Sequence, residues 1–301
     1  MKAKCWREQY KAETEQRGDD TVNIVVCMKQ VPNTKEISID QKTNNIIREG
    51  VPSIMNPHDA NALETALEIK DKHGGQVIAL SMGPAQAMAM MQEALDIGAD
   101  RAILLSDRKF AGSDTLSTGY TLATAIKGLQ ADLVLCGAEA IDGSTGQVGP
   151  IIAENLDWPQ VTCVRTAEIE KGTVVACRER KEYLEKMVCT LPAVLCILKG
   201  SNKPRRPMKS VKKPELYIGS DFSFDETKLG AKGSPTKVVK ISVSDRAASS
   251  FVFLDGSLPV KERIRSMMNG GIIPQKVDFV RGQPGELASM ILSDDKVKKY
   301  V

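Results

Sequence analysis

The chain has 301 residues, of which 42% are hydrophobic and 26% charged, and its formal net charge is +3. This length allows one large domain with an appendage, and the composition is that of an ordinary globular protein. The small net charge, with no stretch of interleaved basic and aromatic residues, argues against a nucleic-acid-binding protein.

Neither membrane insertion nor secretion is expected. No apolar run approaches the roughly 18 residues of a membrane span. Residues 1–20 mix acids with bases, so we interpret them as a polar extension rather than a secretory signal. The chain has seven cysteines, none of them in a Cys-x-x-Cys pair, and two histidines. This usage predicts reduced, buried thiols, a cytoplasmic protein and no metal site.

The first half of the chain alternates strand and helix signals. Strands are predicted at 22–28, 76–82, 101–105 and 131–137. Helices are expected to begin at Asn56-Pro57, Gly83-Pro84 and Asp114-Thr115. A hairpin or long loop is predicted between Pro32 and Pro52. The alternation predicts an α/β fold: a doubly wound, mostly parallel sheet of Rossmann-like, adenine-nucleotide-binding type.

After Pro159 the pattern changes to antiparallel alternation. Three ribbon strands are predicted, at 161–168, 173–180 and 185–190, followed by a buried strand at 193–198. Residues 199–213 are rich in lysine, arginine and proline. They are interpreted either as a solvated face or as an extended arm that meets an acidic partner.

Three regions follow from this pattern. They are a polar N-terminal extension (1–20), a nucleotide-binding α/β domain (21–213), and a C-terminal arm with a small helical unit (214–301). Within the arm, helices are predicted at 259–268 and 284–292. Tails of this kind commonly pack on another subunit.

The stretch from Ala131 to Pro150 is the best candidate for a functional site. A buried strand is followed by Gly137, by a small-residue loop at 142–146 and by a helix that starts near Gln147. Because small residues let backbone N–H groups approach an anion at a helix start, this segment is predicted to hold phosphate. The simpler alternative is that the loop's polar residues only cap the helix. Neither Gly-x-Gly-x-x-Gly nor a P-loop motif follows any strand.

Several blocks, in order, resemble the beta subunits of electron transfer flavoproteins. They include Val-Val-Cys-Met-Lys-Gln-Val-Pro at 25–32, Ser-Met-Gly-Pro-Ala-Gln at 81–86, and Ala-Ile-Asp-Gly-Ser-Thr-Gly-Gln-Val-Gly-Pro at 140–150. The resemblance runs from about Val22 to Lys213. Phe-Ala-Gly-Ser-Asp-Thr at 110–115 and the compact loop after Ile141 are similar to the electron-bifurcating branch, whose beta subunit binds FAD.

The resemblance implies a set of cofactor-binding residues in two groups. Those expected around the adenosine and phosphates are Cys27, Asn56, Asp59, Met82, Gly137, Asp142, Gly143, Ser144, Thr145, Gly146, Gln147 and Val148. Those expected to approach the flavin are Phe110, Ala111, Asp114, Thr115 and Thr118. No side chain is expected to act as a general acid or a nucleophile, since the redox chemistry belongs to the cofactor.

The implied function is electron transfer from NADH. Electrons would pass from the FAD of this subunit to a low-potential ferredoxin or flavodoxin, and through a second FAD in the alpha subunit to a flavin-dependent dehydrogenase of acyl-CoA or lactate type. One alternative within the family is a non-bifurcating beta subunit that holds a structural AMP. An alternative from another class is a nucleotide-binding regulatory α/β protein. A further alternative is an interaction subunit whose site is vestigial.

Three departures from the family pattern bear on these expectations. Ala138 and Glu139 stand where the family usually has a basic residue and an amide, and Ser144 stands where bifurcating members usually carry Asp. The segment 202–210 is shorter than the family's docking loop for acyl-CoA dehydrogenases. The shortening suggests a different dehydrogenase, with residues 243–283 as the substitute contact.

Overall fold

The residues that the computed structural model describes are 21–33, 38–39, 46–47 and 52–236. The extension predicted for 1–20, the helices predicted at 259–268 and 284–292, and the proposed contact at 243–283 lie outside them. None of the described helices is both long enough and apolar enough to cross a bilayer.

The described elements alternate as predicted in the first half of the chain. The strands are β1 (Val22–Cys27), β2 (Gln30–Pro32), β3 (Ser38–Ile39), β4 (Ile46–Ile47), β5 (Ser53–Met55), β6 (Gly75–Met82), β7 (Arg101–Leu105), β8 (Leu133–Gly137), β9 (Gln160–Glu170), β10 (Thr173–Glu179), β11 (Leu184–Thr190), β12 (Ala193–Ile197) and β13 (Glu215–Tyr217). The helices are α1 (Pro57–His73), α2 (Met88–Ile97), α3 (Thr115–Gly128), α4 (Val148–Leu156) and the short α5 (Gly230–Gly233).

Nine of these strands form one sheet in the order β11-β10-β9-β12-β8-β1-β6-β7-β13. The pairs from β9 to β13 in this order are parallel, and β10 and β11 add the antiparallel ribbon. The predicted doubly wound, mostly parallel sheet with an antiparallel ribbon is confirmed. The predicted hairpin between Pro32 and Pro52 is represented by two small antiparallel pairs, β2 with β5 and β3 with β4.

The central strands are buried on both faces. In β1, Ile24 and Val26 face the cluster that packs on α1 and α2, whereas Val25 faces the cluster that packs on α3 and α4. All three side chains are fully buried. This two-sided burial explains why the parallel strands read as continuous apolar runs rather than as alternating patterns.

Two predicted elements differ from the observed ones. The second helix was expected to start at Gly83-Pro84, but Ala85–Ala87 form a 3-10 turn and α2 begins only at Met88. The strand β13 was not predicted, because 214 onward was assigned to the arm. It pairs with β7 through Glu215–Tyr217, and the Arg101 guanidinium donates two hydrogen bonds of 2.7 Å to the Glu215 carboxylate.

The contact between α3 and α4 depends on Gly119. A Cβ at this position would overlap Cγ2 of Ile151 and lie 2.8 Å from its Cβ. The glycine therefore lets the two helices approach closely beside the loop that leads into α4.

We expect Gly119→Ala to destabilise the protein. Overpacking costs about 1 to 3 kcal/mol, opposed by about 1 kcal/mol of improved helix propensity. Urea unfolding measures the difference. In the Ile151→Ala background the clashing side chain is absent, so adding Gly119→Ala should lower the free energy of unfolding less than it does in the native chain. A Gly119→Ala substitution that costs as much in the Ile151→Ala background as in the native chain would contradict the close contact.

Candidate functional site

A cleft of about 420 Å³ opens where the central parallel strands end. Its walls come from the ends of β1, β6 and β8, from the starts of α1, α3 and α4, and from the loop before α4. This is the carboxyl edge of the sheet, where ligands of open α/β folds bind.

The cleft brings together fourteen of the seventeen predicted site residues. They are Cys27, Asn56, Asp59, Met82, Asp114, Thr115, Thr118, Gly137, Gly143, Ser144, Thr145, Gly146, Gln147 and Val148. Eleven of the twelve residues expected around the adenosine and phosphates, all except Asp142, and three of the five expected at the flavin end thus share one cavity.

A buried carboxylate fixes the floor of this cleft. Asp59 Oδ2 accepts a hydrogen bond of 2.7 Å from the Lys29 N–H, and Oδ1 accepts bonds from Asn56 Nδ2 (2.9 Å) and the Gly137 N–H (3.1 Å). These bonds join the start of α1 to the ends of β1 and β8. Burial raises the pKa of Asp59 to about 7, and the three donors act in the opposite direction.

Gly137 is required where β8 leaves the sheet. A Cβ there would overlap Asp59 Oδ1 and lie 2.7 Å from the Cβ of His58. No side chain fits between this backbone and α1. The glycine therefore permits the Asp59–Gly137 hydrogen bond and sets the direction of the loop that follows.

Asn56 extends the same network into the loop. Its Nδ2 also donates to the Glu139 carbonyl at 2.9 Å, and its Oδ1 accepts from the Ile141 N–H at 3.3 Å. Asn56 was predicted as the cap of α1, but its side chain makes no capping hydrogen bond to that helix. It holds the loop after β8 instead.

The phosphate-type loop combines small residues with positive φ angles. Ser144 has φ 49° and Gly146 has φ 61°, and both line the cleft with Gly143 and Thr145. No side chain caps the start of α4 at Gln147. No described hydrogen bond of Asp142, Ser144 or Thr145 caps this helix, and Gln147 and Val148 at its start line the cleft.

Lys29 and Asp142 form an ion pair beside this loop. Lys29 Nζ lies 2.8 Å and 2.7 Å from the two Asp142 carboxylate oxygens. Lys29 lines the cleft, whereas Asp142 does not. The predicted residue Asp142 thus acts on the cleft through Lys29.

The opposite wall is the start of α3. Asp114 caps this helix as predicted, with Oδ1 accepting from the Leu116 and Ser117 N–H groups at 3.0 Å each. Thr115 Oγ1 donates to Gln147 Oε1 at 2.9 Å, which links the starts of α3 and α4.

Comparison with known proteins identifies the family. A model of the electron transfer flavoprotein domain matches residues 43–216. The electron transfer flavoprotein subunit beta of Thermoanaerobacterium thermosaccharolyticum is 45% identical over 254 residues, which are 82% of this chain and 96% of that protein. The same subunit of Clostridium acetobutylicum is 45% identical over 247 residues, 80% of this chain and 94% of that protein.

The chain belongs to the electron transfer flavoprotein family. It is a beta-type subunit, with a role in electron transfer beside an alpha subunit. The Acetobacterium woodii protein named caffeyl-CoA reductase-Etf complex subunit CarD is also similar, 45% identical over 227 residues, which are 73% of this chain and 87% of that protein. A protein named FixA from Azorhizobium caulinodans is 40% identical over 251 residues.

Two residues that were expected to approach the flavin, Phe110 and Ala111, do not line the cleft. Phe110 is buried in the core beside α3, where its ring contacts Phe224 edge-on with the centroids 5.5 Å apart. Ala111 is exposed, and its carbonyl accepts from the Ala231 N–H at 3.1 Å. The expectation that Phe110 and Ala111 contact the cofactor is therefore wrong for this cleft, because Phe110 is packed in the core and Ala111 is bonded to the segment at Ala231.

Glu139, which stands where the family usually has an amide, lies beside His58, a contact that the sequence analysis did not predict. Glu139 lines the cleft, and its Oε1 lies 3.9 Å from Nε2 of the buried His58. The Lys199 N–H donates to His58 Nδ1 at 3.1 Å. Burial lowers the pKa of His58, although the Glu139 carboxylate acts in the opposite direction. The sequence signal was the His directly after Asn56-Pro57.

Three cysteines lie side by side beneath the cleft. Cys27 is in register with Cys136, and Cys136 with Cys196, on neighbouring parallel strands. All three are buried free thiols, as predicted. A hydrogen bond with Cys27 and burial raise the pKa of Cys136 well above its usual range, so this thiol is unreactive.

We expect Asp59→Asn to destabilise the protein by about 1 to 3 kcal/mol, because an amide group turns one buried acceptor into a donor that faces N–H groups. Asp142→Asn is the matched control. It removes a largely solvated pair with Lys29 and should cost less than about 1 kcal/mol. Chemical unfolding measures both. Equal losses would contradict the assignment of Asp59 as the anchor.

The raised pKa of Asp59 also predicts a pH dependence. A carboxyl group whose folded pKa of about 7 exceeds its ordinary 3.8 contributes stability at low pH that is lost as the pH rises to about 7. The difference in unfolding free energy between the native chain and Asp59→Asn should therefore be larger at pH 5 than at pH 8. A difference that grows toward pH 8 would show that the carboxylate is the favoured buried form.

Proposed function

We propose that this subunit binds FAD in the described cleft and works in an electron-bifurcating electron transfer flavoprotein. The observation that carries the proposal is the continuity of one cavity from the loop at 143–148 to Asp114, Thr115 and Thr118. One cavity lined by residues of both expected sets supports a single ligand that contacts the loop and the start of α3 together. Its volume of about 420 Å³ is within the usual range of small-molecule sites.

The residues fit such a cofactor in their chemistry. Backbone N–H groups at the start of α4 and the left-handed residues Ser144 and Gly146 are suited to the diphosphate. Asp114, Thr115 and Thr118 offer polar side chains where the resemblance expects the flavin end. FAD, when bound, supplies the redox chemistry by taking a hydride from NADH and releasing electrons one at a time.

The role of this chain's residues is to bind and orient. The Asp59 network holds the backbone of the loop after β8 in place, and the Thr115–Gln147 hydrogen bond fixes the distance between the two helix starts. No side chain in the cleft needs to transfer a proton for this role.

The proposed partners follow from the family. We propose an alpha subunit with a second FAD, a ferredoxin or flavodoxin as the low-potential acceptor, and a flavin-dependent dehydrogenase of acyl-CoA or lactate type, all in the cytoplasm. The similarity to CarD, which is named as a subunit of a caffeyl-CoA reductase-Etf complex, supports a stable complex with such an enzyme.

Part of the segment 199–213, which would hold the family's docking loop, is bound to its own domain. Arg205 pairs with Glu64 and Asp71 on α1, and Lys212 pairs with Asp100. The Ser210 N–H donates to Asp96 at 2.9 Å. Part of the basic segment therefore lies along its own domain rather than forming a free arm.

The family alternative is a structural AMP in this cleft, with the only FAD in the alpha subunit. The adenosine end of the cleft suits both nucleotides, so composition analysis decides between them. No observation on the described residues favours the regulatory nucleotide-binding protein.

The test is the nucleotide content of the chain copurified with its alpha subunit. Two FAD per heterodimer are expected, whereas one FAD with one AMP would replace the bifurcating proposal with the ordinary electron carrier. Thr118→Phe should fill the flavin end and reduce the count to one FAD, since Thr118 lines the cleft. Lys127→Phe, an exposed position on the same helix, should leave the count unchanged.

A further inference from the structure

The segment 228–236, here named the strap, is bound to the back of the cleft wall. Ser234 Oγ accepts a hydrogen bond of 2.8 Å from the Asp114 N–H, and Thr236 Oγ1 donates to Asp114 Oδ2 at 2.9 Å. Ser117 Oγ donates to the Lys228 carbonyl at 2.9 Å. Three hydroxyl groups therefore join the strap to the first turn of α3.

The strap also follows the backbone before that turn closely. The Ala231 N–H donates to the Ala111 carbonyl, and a Cβ on Gly230 would overlap the Lys109 carbonyl. Gly230 has φ 56°, a conformation that glycine adopts without strain. The strap is thus fitted to residues 109–117 by backbone contacts as well as by side chains.

Asp114 connects the strap to the cleft. Its Oδ1 caps α3 through the N–H groups of Leu116 and Ser117, and its Oδ2 is held by Thr236. Asp114, Thr115 and Thr118, at the start of α3, line the cleft. The carboxylate that orients this wall is therefore oriented in turn by a residue outside the sheet.

We propose that Ser234 and Thr236 are positioning residues for the ligand of the cleft, acting through Asp114. They fix the wall formed by Asp114, Thr115 and Thr118, and their described hydrogen bonds do not reach the loop 143–146. Because linkage is reciprocal, a ligand that contacts this wall also stabilises the docked strap. A ligand that contacts only the loop 143–146 should not change the stability of the docked strap.

The proposal rests on the proposed function only for the choice of FAD as the probe. FAD and AMP share the adenosine and a phosphate, so both should contact the loop 143–146. Only FAD should also contact the wall formed by Asp114, Thr115 and Thr118. A strap variant should therefore weaken FAD and spare AMP. Hydrogen exchange at the Leu116 and Ser117 amides measures how well the strap stabilises the start of α3, and it needs no ligand.

The experiment uses the full chain with its alpha subunit and compares Thr236→Val with Thr236→Ser. Losing one hydrogen bond should weaken FAD binding to the beta site about 2- to 10-fold and leave AMP binding within about 2-fold. The same variant should speed exchange at the Leu116 and Ser117 amides. Thr236→Ser keeps the hydroxyl group and should restore both readouts.

Thr227→Val is the matched control, because it removes a hydroxyl that bonds only Asp225 in the described contacts. It should change neither readout. Ser234→Ala tests the second hydroxyl and replaces Thr236→Val if that variant does not fold.

The outcomes separate the two proposals. If FAD does not bind to the beta site but exchange still responds to Thr236→Val and not to Thr236→Ser, the FAD assignment fails and the strap's control of the wall stands. Unchanged exchange in Thr236→Val, equal effects of the valine and serine variants, or equal weakening of FAD and AMP would overturn the proposal.

Discussion

The carboxylate of Asp59 is the contact on which the site depends. It receives N–H groups from the end of β1, the end of β8 and the side chain of Asn56. The strands fix where these ends lie, but parallel strands alone do not decide the direction in which each chain leaves the sheet. An unpaired buried carboxylate is costly. Asp59 keeps its hydrogen bonds only if the chain leaves both β1 and β8 in the observed directions, so the carboxylate favours those directions.

The other features of the cleft build outward from that point. Gly137 lets the backbone at the end of β8 approach Asp59, and Asn56 holds the following loop by hydrogen bonds to Glu139 and Ile141. The loop then reaches α4 through residues with positive φ. The far wall is organised separately, by Asp114 and the strap. The site thus has two supports, one inside the sheet and one beside it, joined by the Thr115–Gln147 hydrogen bond.

The sequence was informative where a structural rule is local. Apolar runs revealed the two-sided burial of the parallel strands, and Asp114 was identified as a helix cap from its own neighbourhood. It failed where the cause lies far along the chain. β13 is held by Arg101, more than a hundred residues earlier, and the direction of Phe110 is set by Phe224. Nothing near Asn56 indicates that its side chain prefers the loop after β8 to its own helix.

The Lys29–Asp142 pair has a consequence for how the cleft attracts its ligand. Lys29 is the one lysine or arginine among the described residues that line the cleft, and its ammonium already faces a carboxylate. Attraction of a phosphate would then come mainly from backbone dipoles at short range, which dissolved ions screen far less than they screen exposed charges. Such a cleft holds a nucleotide with little sensitivity to ionic strength. Its described lining also offers polyanions no basic side chain other than the paired Lys29.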